Sequence, residues 1–385
     1  MTEYSFGIEE EYFVVGRRTG NIKAELSQAF MKAASKELGS HLTKELLQSQ
    51  IEVVTRPLVD AEQARRDLLL FRRTLDELGQ NYGIGILAAG THPLARPDEH
   101  LTTNKRRYTK VIKELGIVGL GNALCGLHVH VEVPDPDRRV EIMHRLIPFL
   151  PILLALSTSS PFWAGVETGL LGYRNAANDA FPRSGFPEMF RSNAEYEEYV
   201  QALTEAKIIA DSTYIWWALR PSLRYPTLEL RITDSCTAVD DALAIAGLYR
   251  ALVRHVVEHP KLNAKFSAVA RALTEENRWR AQRYGTTGTY VDVATREAKA
   301  FRQMLDETLD LVSADLTALG LDSEVAHLRR IAANGTSAHR QLVFYRDLRK
   351  AGMPRVGALK EVSRWLRNST EVGSFVDNQP PADAA

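Results

Sequence analysis

The chain has 385 residues with 48 of each charge sign, so its formal net charge is zero, and 45% of its residues are hydrophobic and 25% charged. These are the proportions of a water-soluble globular protein with a sizeable core, and they leave no global field to recruit nucleic acid, an anionic membrane or an acidic partner. Two cysteines, Cys125 and Cys236, lie in apolar segments without framework spacing, which points to a reducing, cytoplasmic setting without a structural disulfide. The amino terminus has no basic segment followed by an apolar run, so no secretion signal is expected.

Residues 6–15, Phe-Gly-Ile-Glu-Glu-Glu-Tyr-Phe-Val-Val, read as a strand with Glu9 and Glu11 on one face and Glu10 on the other. Leu26, Phe30, Ala34 and Leu38 predict a helix over 24–38. A second strand is expected over 48–55, with Gln48, Gln50 and Glu52 sharing a face, and a long amphipathic helix over 60–82. A short apolar strand follows at 84–89. The segment 127–133 alternates again, with His128, His130 and Glu132 opposite the aliphatic residues. Pro134 to Asp137 is a turn, with Asp137 the expected cap of the next helix. The apolar run 146–156 is about half the ~20 residues a membrane span needs and reads as a buried helix.

Residues 157–189 show little periodicity, as long functional loops do. A helix is expected over 195–210, strand-like sequence over 213–220 and a turn over 221–226. The third alternating strand follows, with Leu228, Leu230 and Ile232 opposite Glu229 and Arg231. From residue 240 the pattern is helical, over 242–259, 261–284, 292–319, 323–334, 338–350 and 356–367. With no composition break, one domain over 1–370 and a disordered tail over 371–385 are expected, in an α+β arrangement.

Three strands with acids, imidazole or guanidinium on one face would form a common floor. Hard dications such as Mg²⁺ take oxygen ligands, and acids gathered in one cleft repel each other unless cations neutralise them or protons remain bound. Glu9, Glu11, Glu52 and Glu229 supply such carboxylates from strands, and Glu45 reaches in from a loop. Arg231 adds a forked positive charge beside Glu229, suited to a phosphate. Asn277, Arg280 and Arg283 share one side of a helix and offer a second grip for phosphate or carboxylate. Taken as residues alone, Glu229 and Arg231 also suit a solvated salt bridge, and His128 with His130 suits a zinc-dependent hydrolase. The segment 116–126 lacks the Lys-Ser/Thr of a P-loop.

Gly7-Ile8-Glu9-Glu10-Glu11, Gly126-Leu127-His128-Val129-His130-Val131, Glu229-Leu230-Arg231 and Asn277-Arg278-Trp279 together resemble the markers of the carboxylate-amine ligase family, the type 2 glutamate-cysteine ligases. The resemblance implies a glutamine synthetase-like catalytic domain, a curved, largely antiparallel sheet funnel with helices packed outside. It implies ATP and more than one Mg²⁺ or Mn²⁺ ion as cofactors, with metal ligands at Glu9, Glu11, Glu45, Glu52, His128 and Glu229. Arg231 and Glu52 would be catalytic, with Arg231, Arg280 and Arg283 on the nucleotide. The implied reaction activates a carboxylate, such as the γ-carboxylate of glutamate, as an acyl phosphate for attack by an amine. Substrate contacts are expected from Tyr173, Arg174 and Arg183, and a homodimer is implied. A non-catalytic relative binding nucleotide or amino acid is the remaining reading.

Overall fold

The computed structural model describes residues 4–96, 100–103, 106–121 and 123–377. Its main sheet has seven strands: β1 (Phe6–Gly16), β2 (Leu42–Lys44), β3 (Gln50–Val54), β4 (Ile84–Leu87), β5 (Leu127–Glu132), β8 (Leu219–Pro221) and β9 (Thr227–Leu230). The two-residue strands β6 (Phe162–Trp163) and β7 (Val166–Glu167) form a separate hairpin, as do β10 (Thr289–Val291) and β11 (Ala298–Ala300). The order is β2-β3-β1-β5-β9-β8, every pairing is antiparallel, and β4 joins β1 beyond the end of β5. The fold is thus mixed helix and antiparallel sheet, as expected.

Alternation decides which face meets the helices. Ile8, Ile51, Val53, Val129, Val131, Leu228 and Leu230 are all fully buried, and the helix Val239–Glu258 packs on that face, with Tyr249 Oη donating to the Leu228 carbonyl at 3.1 Å. Glu10 and Tyr12 fall on this side of β1. The Glu10 carboxylate is met by Arg72 of the helix Ala61–Gln80 at 2.6 Å, with neither side chain exposed. Arg72 also donates to the carbonyls of Cys236 (2.8 Å) and Thr237 (2.7 Å). This arginine therefore ties the back of β1 to the segment that follows β9.

Several local expectations are corrected. Asp135, and not Asp137, accepts the Asp137 N–H and starts a 3-10 turn before the helix Arg139–Leu146, because Pro136 sets the first turn. Pro136–Ser157 is apolar and long enough to cross a membrane, yet 83% of its most apolar window is buried inside the fold. Residues 292–319 are not one helix. Asp292 Oδ1 accepts from the Ala294 and Thr295 N–H groups, so the β10–β11 hairpin forms first and the helix starts only at Phe301. Strand character in 213–220 is confined to β8, and the long loop contains the helix Tyr173–Asn178. Of the expected tail, the helix Arg355–Val372 takes the first residues, and Phe375 stacks on Trp365, whose Nε1 donates to the Val376 carbonyl at 3.0 Å. Residues 378–385 lie outside the described residues.

Candidate active site

The antiparallel register turns three separate alternations into one surface. Glu9 lies opposite His128, Glu11 opposite Glu52, His130 opposite Glu229, Glu229 opposite Arg220 and Glu52 opposite Thr43. Directly opposed residues on one face have Cβ atoms about 4.5–5.5 Å apart, so six strands contribute to a continuous polar row. Glu45, just past β2, keeps the parity of Thr43 and enters the same row.

Three sets of ligand atoms lie within 4.8 Å of one another: Glu9, His130 and Glu229; Glu9, Glu52 and His128; and Glu11, Glu45 and Glu52. All six expected ligands are thus brought together, joined by His130. The two imidazoles fall in different sets and share the Glu9 carboxylate, His128 Nδ1 at 3.3 Å and His130 Nε2 at 3.2 Å. Each set is dominated by oxygen, which suits hard dications rather than a two-imidazole zinc centre.

Electrostatics tests whether cations fit there. Burial raises the Glu11 carboxyl to about 7, with the Glu45 charge adding to it, against the pull of Arg174. Burial pushes Glu52 well above the usual carboxylate range, helped by Glu9, Glu45 and Glu11. Burial likewise opposes ionisation of Glu9 and Glu229, but imidazole hydrogen bonds reverse the balance at Glu9, and Arg220 and Arg231 reverse it at Glu229. His128 is held neutral, lowered to about 4 by burial and by Arg231, and its buried Nε2 has no hydrogen-bond partner. A neutral imidazole with an unused nitrogen beside buried carboxylates that oppose one another's charge is a donor set that a dication would complete.

Arg220 was not singled out by the alternation, because β8 is only three residues long. Its Nε donates to Glu229 Oε2 at 2.8 Å and its Nη2 to Oε1 at 3.2 Å. Arg231 Nη1 also donates to Glu229 Oε1. Glu229 is thereby oriented by two guanidinium groups. Arg231 further lines a narrow recess with Arg174, Asn175, Asp179, Trp216 and Arg278. Arg278 is anchored there by Asp179 at 2.8 Å and Glu275 at 2.9 Å. Arg280 and Arg283 take the other side of the helix Ala268–Tyr284: both lie over the Tyr284 ring, and Arg280 donates to the Thr289 carbonyl. On the side they share with Asn277, Arg280 and Asn277 bond to β10. Of the expected substrate contacts, Arg174 lies in the recess, Arg183 braces Trp216 from behind and Tyr173 packs on Trp163.

Gly126 sits where Arg174 and His128 converge. A Cβ added there would overlap the Arg174 guanidinium and come within 2.9 Å of His128 Nε2. Both obstacles are ends of side chains, so Gly126→Ala is expected to displace them while the backbone stays. Activity should fall by about tenfold or more with a melting temperature within a few degrees of the parent, as steady-state assay and thermal melting would show.

On the opposite flank, beyond Glu9 and His130, lies a cavity of about 310 Å³, with Phe6, Val54, Pro57, Tyr225 and Pro226 among its walls. Tyr225 meets the His130 ring edge-on at 6.2 Å between centroids. Arg139 holds the turn carrying Tyr225 through the carbonyls of Ser222 (2.8 Å) and Tyr225 (3.0 Å). Cys125 lies beneath the row, and burial, then the Glu11 charge, push its thiol well above the usual range.

The fold that carries this floor is shared with solved glutamate–cysteine ligase and glutathione synthetase structures. The chain is similar to a glutamate–cysteine ligase from Francisella tularensis solved in complex with AMP, with a TM-score of 0.71 and 13% identity over 95% of this chain and 89% of that one. It is also similar to a bifunctional glutathione synthetase from Pasteurella multocida, with a TM-score of 0.64 and 15% identity over 95% of this chain and 52% of that one. The chain belongs to glutamate-cysteine ligase family 2, whose profile matches residues 5–377. A protein of Bradyrhizobium sp. (strain ORS 278), provisionally named glutamate–cysteine ligase 2, is 46% identical over 371 residues, 96% of this chain and 88% of the relative. Another of that provisional name, from Ectopseudomonas mendocina (strain ymp), is 42% identical over 373 residues, 97% of this chain and 98% of the relative.

Proposed function

We propose that the protein is an ATP- and Mg²⁺-dependent carboxylate-amine ligase, which joins the γ-carboxylate of glutamate to an amine and releases ADP and phosphate. The observation that carries this reading is the single row formed by Glu9, Glu11, Glu45, Glu52, His128, His130 and Glu229, with Arg231 at its edge. Phosphoryl transfer asks a protein for positioning and for neutralisation of spread negative charge, and little covalent help. Dications held by the row supply that neutralisation when bound.

The chain's own groups supply the rest. The apolar cavity beside Glu9 and His130 suits the nucleoside end of ATP, so that the triphosphate runs over the row. Arg231, fixed through Glu229 and backed by Arg220, presents permanent charge where the transferred phosphoryl group would sit. The recess with Arg174, Arg278 and Asp179 suits an amino-acid head, guanidinium for carboxylate and carboxylate for ammonium. A carboxylate oxygen then attacks the γ-phosphorus as ADP leaves, and the amine nitrogen attacks the resulting acyl carbon as phosphate leaves. The buried, protonated Cys125 has no place in such a sequence.

The test incubates the protein with ATP, Mg²⁺, glutamate and pooled amines and identifies products by mass. A γ-glutamyl amide formed in step with ADP is the expected result. Absence of any ADP release across the pool would leave only a non-catalytic binding protein.

A further inference from the structure

Glu132 ends β5 on the same face as His128 and His130, and it belongs to none of the three ligand sets. Its side chain lines the apolar cavity and is half-buried. One oxygen, Oε2, accepts both bonds from Ser5, at 3.3 Å from the backbone N–H and 2.8 Å from Oγ. Ser5 is itself anchored, its carbonyl accepting the Glu132 N–H at 2.8 Å. The carboxylate is therefore held in place by one oxygen, and among the described residues Oε1 accepts no hydrogen bond. Most of the remaining wall is apolar, with Glu9, Thr55, His130 and Thr227 the polar groups besides Ser5, so Oε1 is an acceptor without a donor at the edge of an apolar cavity.

Position along the strand narrows the donor. Glu132 is two residues past His130, about 7 Å along the chain at the rise of a strand. His130 belongs to a ligand set, so it marks where phosphate oxygens would meet a cation. One such step beyond a phosphate is the reach of the sugar, which leaves the apolar walls, Pro57 and Pro226 among them, to the base. A fixed carboxylate facing vicinal hydroxyls is a general means of reading ribose. We infer that Glu132 is a specificity residue that accepts hydrogen bonds from the ribose hydroxyls of the nucleotide. The inference rests on the nucleotide reading above and adds a preference for ribonucleotides.

The test compares ATP with 2′,3′-dideoxy-ATP, each with Mg²⁺, by titration calorimetry on the parent, Glu132→Ala and Glu132→Gln. The parent should bind ATP about tenfold or more tightly than the dideoxy compound, the scale of losing a hydrogen bond to a charged group. Glu132→Ala should bring ATP down to the dideoxy level while leaving dideoxy binding unchanged, and Glu132→Gln, which keeps a neutral acceptor, should fall between. Equal binding of the two nucleotides by the parent would overturn the inference, as would an equal loss for both in Glu132→Ala, the result expected if the carboxylate met the base. Parent protein that binds neither nucleotide would instead remove the nucleotide reading itself.

Discussion

Glu52→Gln is expected to lower amine-dependent ADP release by at least about a hundredfold, the scale of losing a single preorganised charge at a reacting centre, while making the metal-free protein more stable. Glu52 stands between two ligand sets and belongs to both. In the absence of cations its charge is opposed by burial and by Glu9, Glu45 and Glu11, so a neutral amide of the same shape removes repulsion. Thr43 Oγ1, which donates to Glu52 Oε2 at 2.8 Å, keeps an acceptor in the amide oxygen. Thermal melting with and without Mg²⁺ checks both halves: the parent should gain more from Mg²⁺ than the variant, by mass action on an intact site. A variant less stable than the parent without metal would mean that the carboxylate serves the fold instead of a cation.

The second large effect lies behind the row. Arg72→Ala is expected to cost about 3–5 kcal/mol, because it leaves the Glu10 charge in a fully buried position. The guanidinium makes two bonds to Glu10, at 3.1 and 2.6 Å, and one each to the Cys236 and Thr237 carbonyls. Tyr12 Oη still donates to Glu10 in the variant, which keeps the loss at the lower end of what an orphaned charge can cost. Replacing both partners by Met should cost much less than Arg72→Ala alone, since it removes the charge together with its partner. Denaturant titration of the three proteins decides the matter. Equal losses in the single and double variants would mean that Arg72 matters for packing and not for the charge of Glu10.

The parity of the strands was legible in the sequence because alternation is a property of each segment by itself. Glu9 and Glu11, His128 and His130, and Glu229 and Arg231 could be assigned to polar faces before any pairing was known, and Glu10 to the opposite one. Which strands are neighbours is not a local property. The opposition of Glu9 with His128 and of Glu11 with Glu52 follows from the order β3-β1-β5, which alternation does not give and which the resemblance to the ligase family did not specify beyond a largely antiparallel sheet. Arg220 escaped because three residues carry too little alternation to read. Arg278 escaped for another reason: helical spacing groups Asn277 with Arg280 and Arg283, but only the packing of the helix Ala268–Tyr284 against β10 and β11 shows which side the site sees. Hairpin formation at Asp292 likewise depends on side-chain bonds to backbone amides that a helical pattern conceals.

Whether the carboxylate row gathers cations is tested most directly by Mn²⁺ binding measured by electron paramagnetic resonance in the presence of ATP. At least two Mn²⁺ ions per chain are expected in the parent, and fewer in Glu52→Gln. No bound Mn²⁺, or an undiminished number in the variant, would contradict cation gathering by the row.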